Sequence, residues 1–187
     1  MTKKCILFII LSLSNGALAS LVTQPSQDDS KKLIKEFTDA AYTNKLEKVV
    51  DLLKSGIDIN SKGPGGQTAL QRAASQGHVQ MVELLINNGA NPNIADNQNI
   101  TPLIAAVMSY PSYQKIDAVQ AIIKMLIAKG ATIDAVNAGG QTALMLAIAT
   151  ELFLVAEILL NEGATIWPKN IYHQAASDLI AEQTTHI

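Results

Sequence analysis

The chain has 187 residues, of which 48% are hydrophobic, 4% are aromatic and 16% are charged, and its formal net charge at pH 7 is -2. This composition excludes a chain that is disordered throughout, and the balanced charge argues against nucleic acid as a partner. Because aromatic rings are few, the core must be filled by Leu, Ile, Val and Ala, which suits thin layers of helices.

The first nineteen residues have the pattern of a secretory signal peptide. Lys3 and Lys4 form a basic start, an apolar run covers residues 5–13, and residues 17–19 read Ala-Leu-Ala, a small-residue cleavage pattern before Ser20. The apolar run is too short for a membrane-spanning helix, which needs about twenty residues. We therefore expect residues 1–19 to be removed on export, with no stable membrane anchor left behind.

Cleavage after Ala19 would change both the charge and the redox chemistry of the chain. Removal of Lys3 and Lys4 takes the 14 basic residues to 12 against 16 acidic ones, a net charge of -4, and it also removes Cys5, the single cysteine. An exported protein without disulfides depends on packing for its stability. We expect the periplasm as its destination, with secretion as the alternative.

A first helix pair is predicted after a short flexible leader at residues 20–29. Asp28, Asp29 and Ser30 are typical of a helix start, because their oxygens accept from free backbone N–H groups and their charge favours the helix dipole. Apolar residues then recur at helical spacing in two segments: Leu33, Ile34, Phe37, Ala40 and Ala41, then Leu46, Val49, Leu52 and Leu53. Gly56 follows as a helix-ending glycine.

Residues 66–93 form a unit that the chain repeats. Thr-Ala-Leu, two alanines, a turn at Gly77 and an apolar run up to Gly89 predict two short antiparallel helices followed by a turn. Its residues recur at intervals of 33 and then 41 in three columns: Thr68, Thr101 and Thr142; Leu70, Leu103 and Leu144; Ala73, Ala106 and Ala147. The shared irregularity indicates eight extra residues in the third repeat.

This unit resembles the ankyrin repeat, because residue types recur in register along most of the chain. The resemblance implies an all-α solenoid of stacked helix-turn-helix pairs with short β-hairpin-like fingers. The repeats fall at about 30–62, 63–95, 96–136 and 137–169, followed by a truncated C-terminal cap at 170–183 and a tail at 184–187. The fingers fall at residues 60–67, 93–100 and 134–141.

The second helices are predicted to form one apolar stripe along the stack. The stripe joins corresponding residues of the second and fourth repeats: Val79, Val82, Leu85 and Ile86 with Phe153, Ala156, Leu159 and Leu160. In the third repeat the insertion, at about Met108 to Asp117, is predicted to lengthen the turn between the two helices.

The sequence offers no constellation of catalytic or metal-binding residues. The mature chain has three histidines, no cysteine and none of the spacings typical of metal sites. The glycine-rich residues 63–66 lack the Gly-Lys-Ser/Thr ending of a phosphate loop. His78 and His173 stand where the family often has histidine, so we expect structural roles for them. No catalytic residue, metal or cofactor is expected.

The resemblance implies that a protein partner contacts the finger tips and the exposed face of the first helices. Carried over by position, it predicts these partner-binding residues: Lys62, Pro64, Gln67, Gln71, Arg72, Gln76, Asn97, Gln98, Ile104, Ala105, Ala138, Gln141, Met145 and Leu146. Of these, Ile104, Met145 and Leu146 form an apolar strip that is either packed between first helices or an interaction patch.

Two tyrosines on the insertion, Tyr110 and Tyr113, are a second candidate site, because tyrosine is enriched at interfaces. The alternative is that they fold back over the added turn. We therefore predict a non-catalytic protein-binding module, expected to be a monomer, whose partner the fold does not name. The alternative is a secreted, effector-like factor that binds a host or target-cell protein. A small-ligand binder or an enzyme is disfavoured by the lack of a polar cluster.

Overall fold

A computed structural model of the protein describes residues 27–108 and 116–166. These residues form eight α-helices, a short 3-10 turn at Pro64–Gly66 and no β-strand. The helices are α1 Gln27–Tyr42, α2 Leu46–Lys54, α3 Ala69–Ser75, α4 Val79–Asn87, α5 Pro102–Met108, α6 Ile116–Ala128, α7 Ala143–Ala149 and α8 Phe153–Asn161. The predicted all-α fold is confirmed.

The helices are arranged in pairs, and equivalent helices of neighbouring pairs pack on one another. Within pairs, α3 contacts α4, α5 contacts α6 and α7 contacts α8. Between pairs, the first helices α3, α5 and α7 contact in chain order, and so do the second helices α4, α6 and α8. One continuous core of small and aliphatic side chains runs from Phe37 on α1 to Leu159 on α8. Each repeat therefore buries its apolar side against its neighbours, as in a repeat solenoid.

Each first helix from α3 onward starts at a buried threonine that caps it. The Oγ1 atoms of Thr68, Thr101 and Thr142 accept hydrogen bonds from backbone N–H groups three residues later, at 3.2, 3.3 and 3.2 Å. These N–H groups have no partner within the helix, so the threonine side chain replaces water there. The threonine column of the sequence therefore marks the starts of these helices.

The second helices end at glycines in the left-handed conformation. Gly89 has a φ of 90°, and its N–H donates to the carbonyl of Ile86 at 3.0 Å, while the N–H of Ala90 donates to Leu85 at 3.0 Å. This pattern satisfies carbonyls that the helix leaves open, and a residue with a Cβ would be strained at that φ. Three further glycines in the same column have similar φ values: Gly56, Gly130 and Gly163.

The fingers are hairpin-like turns, each closed by a backbone hydrogen bond. The N–H groups of Gly63, Asp96 and Asn137 donate to the carbonyls four residues later, at 2.8, 3.0 and 3.0 Å. Successive fingers are also joined, since Asn97 donates to the Gly65 carbonyl and Ala138 to the Gln98 carbonyl, at 3.1 and 2.8 Å. The fingers thus form a hydrogen-bonded row without a regular strand in the described residues.

The predicted apolar stripe is correct in its inner positions and wrong at its margins. Leu85 and Leu159 are fully buried, but Phe153 is 60% exposed and Leu160 is also exposed. The predicted stripe begins at Val79 and Phe153. The buried residues near these helix starts lie two positions later, at Met81 on α4 and Val155 on α8. The first residues of the two helices differ, since Val79 is half-buried against the core whereas no described side chain covers Phe153.

Two predicted boundaries also shift. Helix α1 begins at Gln27, so Gln27–Asp29 is helical although it was assigned to a flexible leader. Part of the insertion lengthens a helix, because α6 has 13 residues whereas α4 and α8 have nine. Met108 is the regular last residue of α5. Leu33, assigned to the buried side of α1, is exposed.

Several predictions lie outside the described residues. They are the signal peptide, Tyr110 and Tyr113 on the insertion, and the C-terminal cap with His173.

Candidate functional site

One column of largely exposed residues runs along the last turns of the first helices. Its members are Tyr42, Ser75, Met108 and Ala149, which are separated by 33, 33 and 41 positions. Of these four residues, only Ser75 is half-buried. Met108 is 48% exposed and Tyr42 is 42% exposed, although both have large apolar side chains. The column was missed from the sequence, because Met108 was assigned to the insertion and Tyr42 to the cap.

A second column lies three residues earlier on the same helices: Asp39, Arg72, Ala105 and Leu146. Residues three apart on a helix are neighbours on one face. These eight residues are called the first-helix face below. Its half on the first two repeats is charged and aromatic, whereas its half on the third and fourth repeats is apolar.

The charged half is organised around Asp39. Its Oδ2 accepts a hydrogen bond from Lys35 Nζ at 2.9 Å, and its Oδ1 lies 3.1 Å from an amino nitrogen of Arg72. The hydrogen bond from Lys35 is the main cause that lowers the pKa of Asp39, and the charges of Lys35 and Arg72 lower it further. The carboxylate therefore stays ionised near neutral pH and holds the guanidinium of Arg72 across the boundary between two repeats.

The same boundary is held through Tyr42. The guanidinium of Arg72 lies over its ring, 4.8 Å from the ring centre, a cation–π contact. The Nε2–H of His78 donates to the Tyr42 carbonyl at 2.9 Å. His78 thus has the structural role expected for it, since it holds the backbone of Tyr42 while Arg72 lies over the ring.

The apolar half presents Met108 together with Leu146 and Ala149. Leu146 is half-buried and Ala149 is exposed, while Ala105 beneath them is almost fully buried. Methionine has three rotatable bonds and a polarizable sulfur, so it adapts to the shape of a partner. This half could bury an apolar side chain of another protein.

Four predicted partner-binding residues are buried: Ala105, which is 6% exposed, and three that lie between the first helices. Gln71, Ile104 and Met145 occupy one column with Thr38, and all four are at most 1% exposed. The amide of Gln71 is satisfied in part by a hydrogen bond from Nε2 to the carbonyl of Ile100 at 2.8 Å. Of the two interpretations of the apolar strip, Ile104 and Met145 support packing, and only Leu146 reaches the surface.

The predicted finger residues are at the surface in part. Lys62, Pro64, Asn97, Gln98 and Ala138 are exposed. Three further residues are half-buried: Gln67, Gln76 and Gln141. Within the third finger, Val136 is an apolar residue that is 44% exposed and that the prediction does not include.

Metal sites and membrane-spanning helices are the two other features to consider in residues 27–108 and 116–166. There, no group of three or more His, Cys, Asp or Glu side chains is placed to hold a metal ion. In the same residues, no helix is both long enough and apolar enough to cross a membrane.

Comparison with known proteins agrees with this geometry. The family model described as ankyrin repeats (3 copies) matches residues 37–122. This chain contains ankyrin repeats. The matched residues hold Tyr42, Arg72 and Met108, and the fourth ankyrin repeat follows from the register of α7 and α8 with the earlier helices. Ankyrin repeats are protein-interaction modules.

Relatives of the ankyrin region differ widely in kind. A protein described as an ankyrin repeat protein in Rickettsia bellii is 29% identical over 76% of this chain and 41% of its own length. The nuclear factor NF-kappa-B p105 subunit of Gallus gallus is 32% identical over 66% of this chain and 12% of its own length. A palmitoyltransferase of Lachancea kluyveri is 30% identical over 68% of this chain and 17% of its own length.

The chain spans less than half the length of each of these relatives. What they share with it is therefore the ankyrin scaffold.

Proposed function

We propose that this protein is exported and serves as a non-catalytic protein-binding module, whose partner lies across the finger tips and the first-helix face. The exposure of Tyr42 and Met108 at corresponding positions of a repeated scaffold is the observation that carries the proposal. Both are large side chains on helices, so the backbone that carries them is already ordered before a partner covers them.

The two halves of the first-helix face would contribute differently to binding. Burial of Met108 and Leu146 by a partner supplies the hydrophobic part of the affinity, which scales with the apolar area removed from water. Arg72 and Tyr42 belong to the residue types that dominate binding energy at interfaces. Because Arg72 is already held by Asp39, it is preorganised for a partner group.

Export is supported by the pattern of residues 1–19 and by the position of Cys5 within it. The bacterial relative from Rickettsia bellii fits a periplasmic destination, with secretion as the alternative. Mass spectrometry of the protein purified from fractionated cells tests this directly. A mature chain that begins at Ser20 supports export, whereas an intact N-terminus in the cytosol contradicts it.

Binding is tested by affinity capture with the mature chain and with two triple variants. The face variant carries Gln98→Glu, Met108→Glu and Ala149→Glu, which add three negative charges to exposed positions. The control carries Gln80→Glu, Asn87→Glu and Ala128→Glu, which add the same charge to exposed positions on the second helices. The proposal requires a protein that is captured by the wild type and the control and lost with the face variant.

Both variants should melt at temperatures close to that of the wild type, because substitutions at exposed positions usually change stability by less than about 0.5 kcal/mol. A protein captured equally by all three chains, or lost with both variants, would contradict a site on the first-helix face. The earlier candidate Met145 is unsuitable for such a test, because a buried Met145→Glu would unfold its repeat.

A further inference from the structure

A second surface is present between α1 and α2, apart from the apolar half of the first-helix face. It is an open cleft of about 670 Å³. Four lysines line it, in two pairs with a spacing of three residues: Lys32 and Lys35, then Lys45 and Lys48. Two carboxylates, Glu36 and Asp39, also line the cleft. Its formal charge is therefore positive in a chain whose net charge is -2.

Both carboxylates are already neutralised by ion pairs. Glu36 Oε1 lies 2.8 Å from Lys48 Nζ, and Asp39 is bound by Lys35 and by Arg72. The hydrogen bond from Lys48 is the main cause that lowers the pKa of Glu36, so this carboxylate is ionised near neutral pH. Among the residues placed by the structure, Lys32 and Lys45 have no ion pair. The excess positive charge of the cleft is located on these two side chains.

We propose that this cleft binds an acidic segment of a protein partner. Charge complementarity favours an anion, and the spread of the lysines over two helices favours one with several charges along its length. A single exposed ion pair contributes only about 0.2 to 1 kcal/mol, so one carboxylate would not be held. Several consecutive Asp or Glu side chains would each meet an ammonium group.

The residues that precede α1 are poor occupants of the cleft. Residues 20–26 carry no charged side chain and residues 1–19 carry only Lys3 and Lys4, so neither segment supplies the negative charge that the cleft favours. The proposal goes beyond the first-helix face, because Lys32 and Lys45 belong to neither of its columns. A partner could bind at either surface without the other.

The test uses a fluorescein-labelled hexaglutamate peptide as the probe and hexaglutamine as its uncharged control. Fluorescence polarisation is measured with the mature chain at low ionic strength and again at about 0.5 M salt, where the Debye length falls to a few Å. The variant is Lys32→Glu with Lys45→Glu. Its control is Lys124→Glu with Lys129→Glu, which makes the same change of net charge at exposed positions on and just after α6.

We expect the wild type to bind hexaglutamate but not hexaglutamine, and salt to weaken this binding. The cleft variant should bind the peptide about tenfold more weakly, since charge reversal replaces two attractive contacts by repulsive ones. The α6 control should stay close to the wild type. Neither substituted lysine pairs with a carboxylate of the described residues. Lys45→Glu places negative charge just before α2, where it is favourable, so thermal melts should show an intact fold.

If both double variants lose affinity for hexaglutamate equally, the proposal is overturned, because the net charge of the whole protein would then account for the binding. No detectable binding of hexaglutamate by the wild type would also overturn it. A third contrary result is binding to vesicles of anionic phosphatidylglycerol without binding to the peptide, which would assign the cleft to a membrane surface. Because the probe replaces any natural partner, each result is independent of the first-helix face.

Discussion

The guanidinium carbon of Arg72 lies 4.8 Å from the centre of the Tyr42 ring. Arg72 belongs to the second repeat and Tyr42 to the first, so this contact crosses a repeat boundary. The ion pair of Arg72 with Asp39 and the hydrogen bond from His78 to the Tyr42 carbonyl cross the same boundary. The first two repeats are therefore joined by polar contacts at the surface as well as by the apolar core beneath.

Replacing Tyr42 by Leu should destabilise the protein by about 0.5 to 1 kcal/mol, because the cation–π contact with Arg72 is lost. Tyr42→Phe keeps the ring and should remain close to the wild type. Urea denaturation followed by circular dichroism measures the difference. Equal stabilities of Tyr42→Leu and the wild type would show that the contact contributes nothing.

Truncation of the core has a larger expected cost. Leu85→Ala should reduce the free energy of unfolding by about 2 to 5 kcal/mol, because Leu85 is fully buried between helices of neighbouring repeats. The matched control is Leu154→Ala on α8, where the side chain is 55% exposed and the expected change is below about 0.5 kcal/mol. Similar melting temperatures for the two variants would contradict the core assignment.

The turn of the fourth repeat carries backbone strain. Glu151 has a φ of 59°, at the position where the second repeat has Gly77 with a φ of 68°. A non-glycine residue in this region is strained by about 1 to 2 kcal/mol. Glycine relieves this strain, but its greater conformational freedom in the unfolded chain offsets part of the gain in stability. Glu151→Gly should therefore stabilise the protein by about 1 kcal/mol in a thermal melt.

The reciprocal change supplies the control for Glu151. Gly77→Glu introduces the same strain into the second repeat and should lower stability by a similar amount. If Glu151→Gly lowers stability instead, the side chain of Glu151 makes a contact worth more than the strain.

Acid should weaken the ion pairs of α1. The pKa values of Glu36 and Asp39 are lowered from their ordinary values of 4.5 and 3.8, chiefly by hydrogen bonds from Lys48 and Lys35. Since the folded pKa lies below the unfolded one, the stabilisation is complete above about pH 4.5 and is lost as the pH falls through the lowered folded values. Both side chains are well exposed, so solvent screens the effect and it should be small.

The measurement is urea denaturation at neutral pH and near pH 3. The variant Glu36→Gln with Asp39→Asn should lose less stability over this interval than the wild type. Removing the donors, in Lys35→Met with Lys48→Met, should reduce the loss in the same way, because the same ion pairs are broken. An acid dependence that is unchanged in both variants would assign it to other carboxylates.

Residues with a local role could be predicted from the sequence. The threonine column marks the starts of the first helices, because each hydroxyl accepts a hydrogen bond from the N–H only three residues later. The glycine column marks the ends of the second helices, because a left-handed glycine ends a helix through hydrogen bonds within its last turn. The intervals of 33 and 41 residues then fix the register of the stack, since each column repeats them.

Burial at the helix margins could not be predicted, because it depends on the neighbouring repeat. Gln71 is polar and yet buried, since the carbonyl of Ile100 in the following repeat accepts from its amide. Phe153 is apolar and yet exposed, since no described side chain covers the start of α8. The exposure of Met108 on α5 could not be predicted, because the predicted insertion begins at about this residue although Met108 still belongs to the helix.

The most direct test of the central claim is photo-crosslinking in living cells. A benzophenone amino acid replaces Met108 on the first-helix face in one chain and Gln80 on a second helix in another. If a partner covers the face, irradiation should join one protein to position 108 and leave position 80 unreacted. Crosslinks at position 80 alone, or none at position 108 where the chain is folded, would contradict the proposal that ankyrin repeats bind through this face.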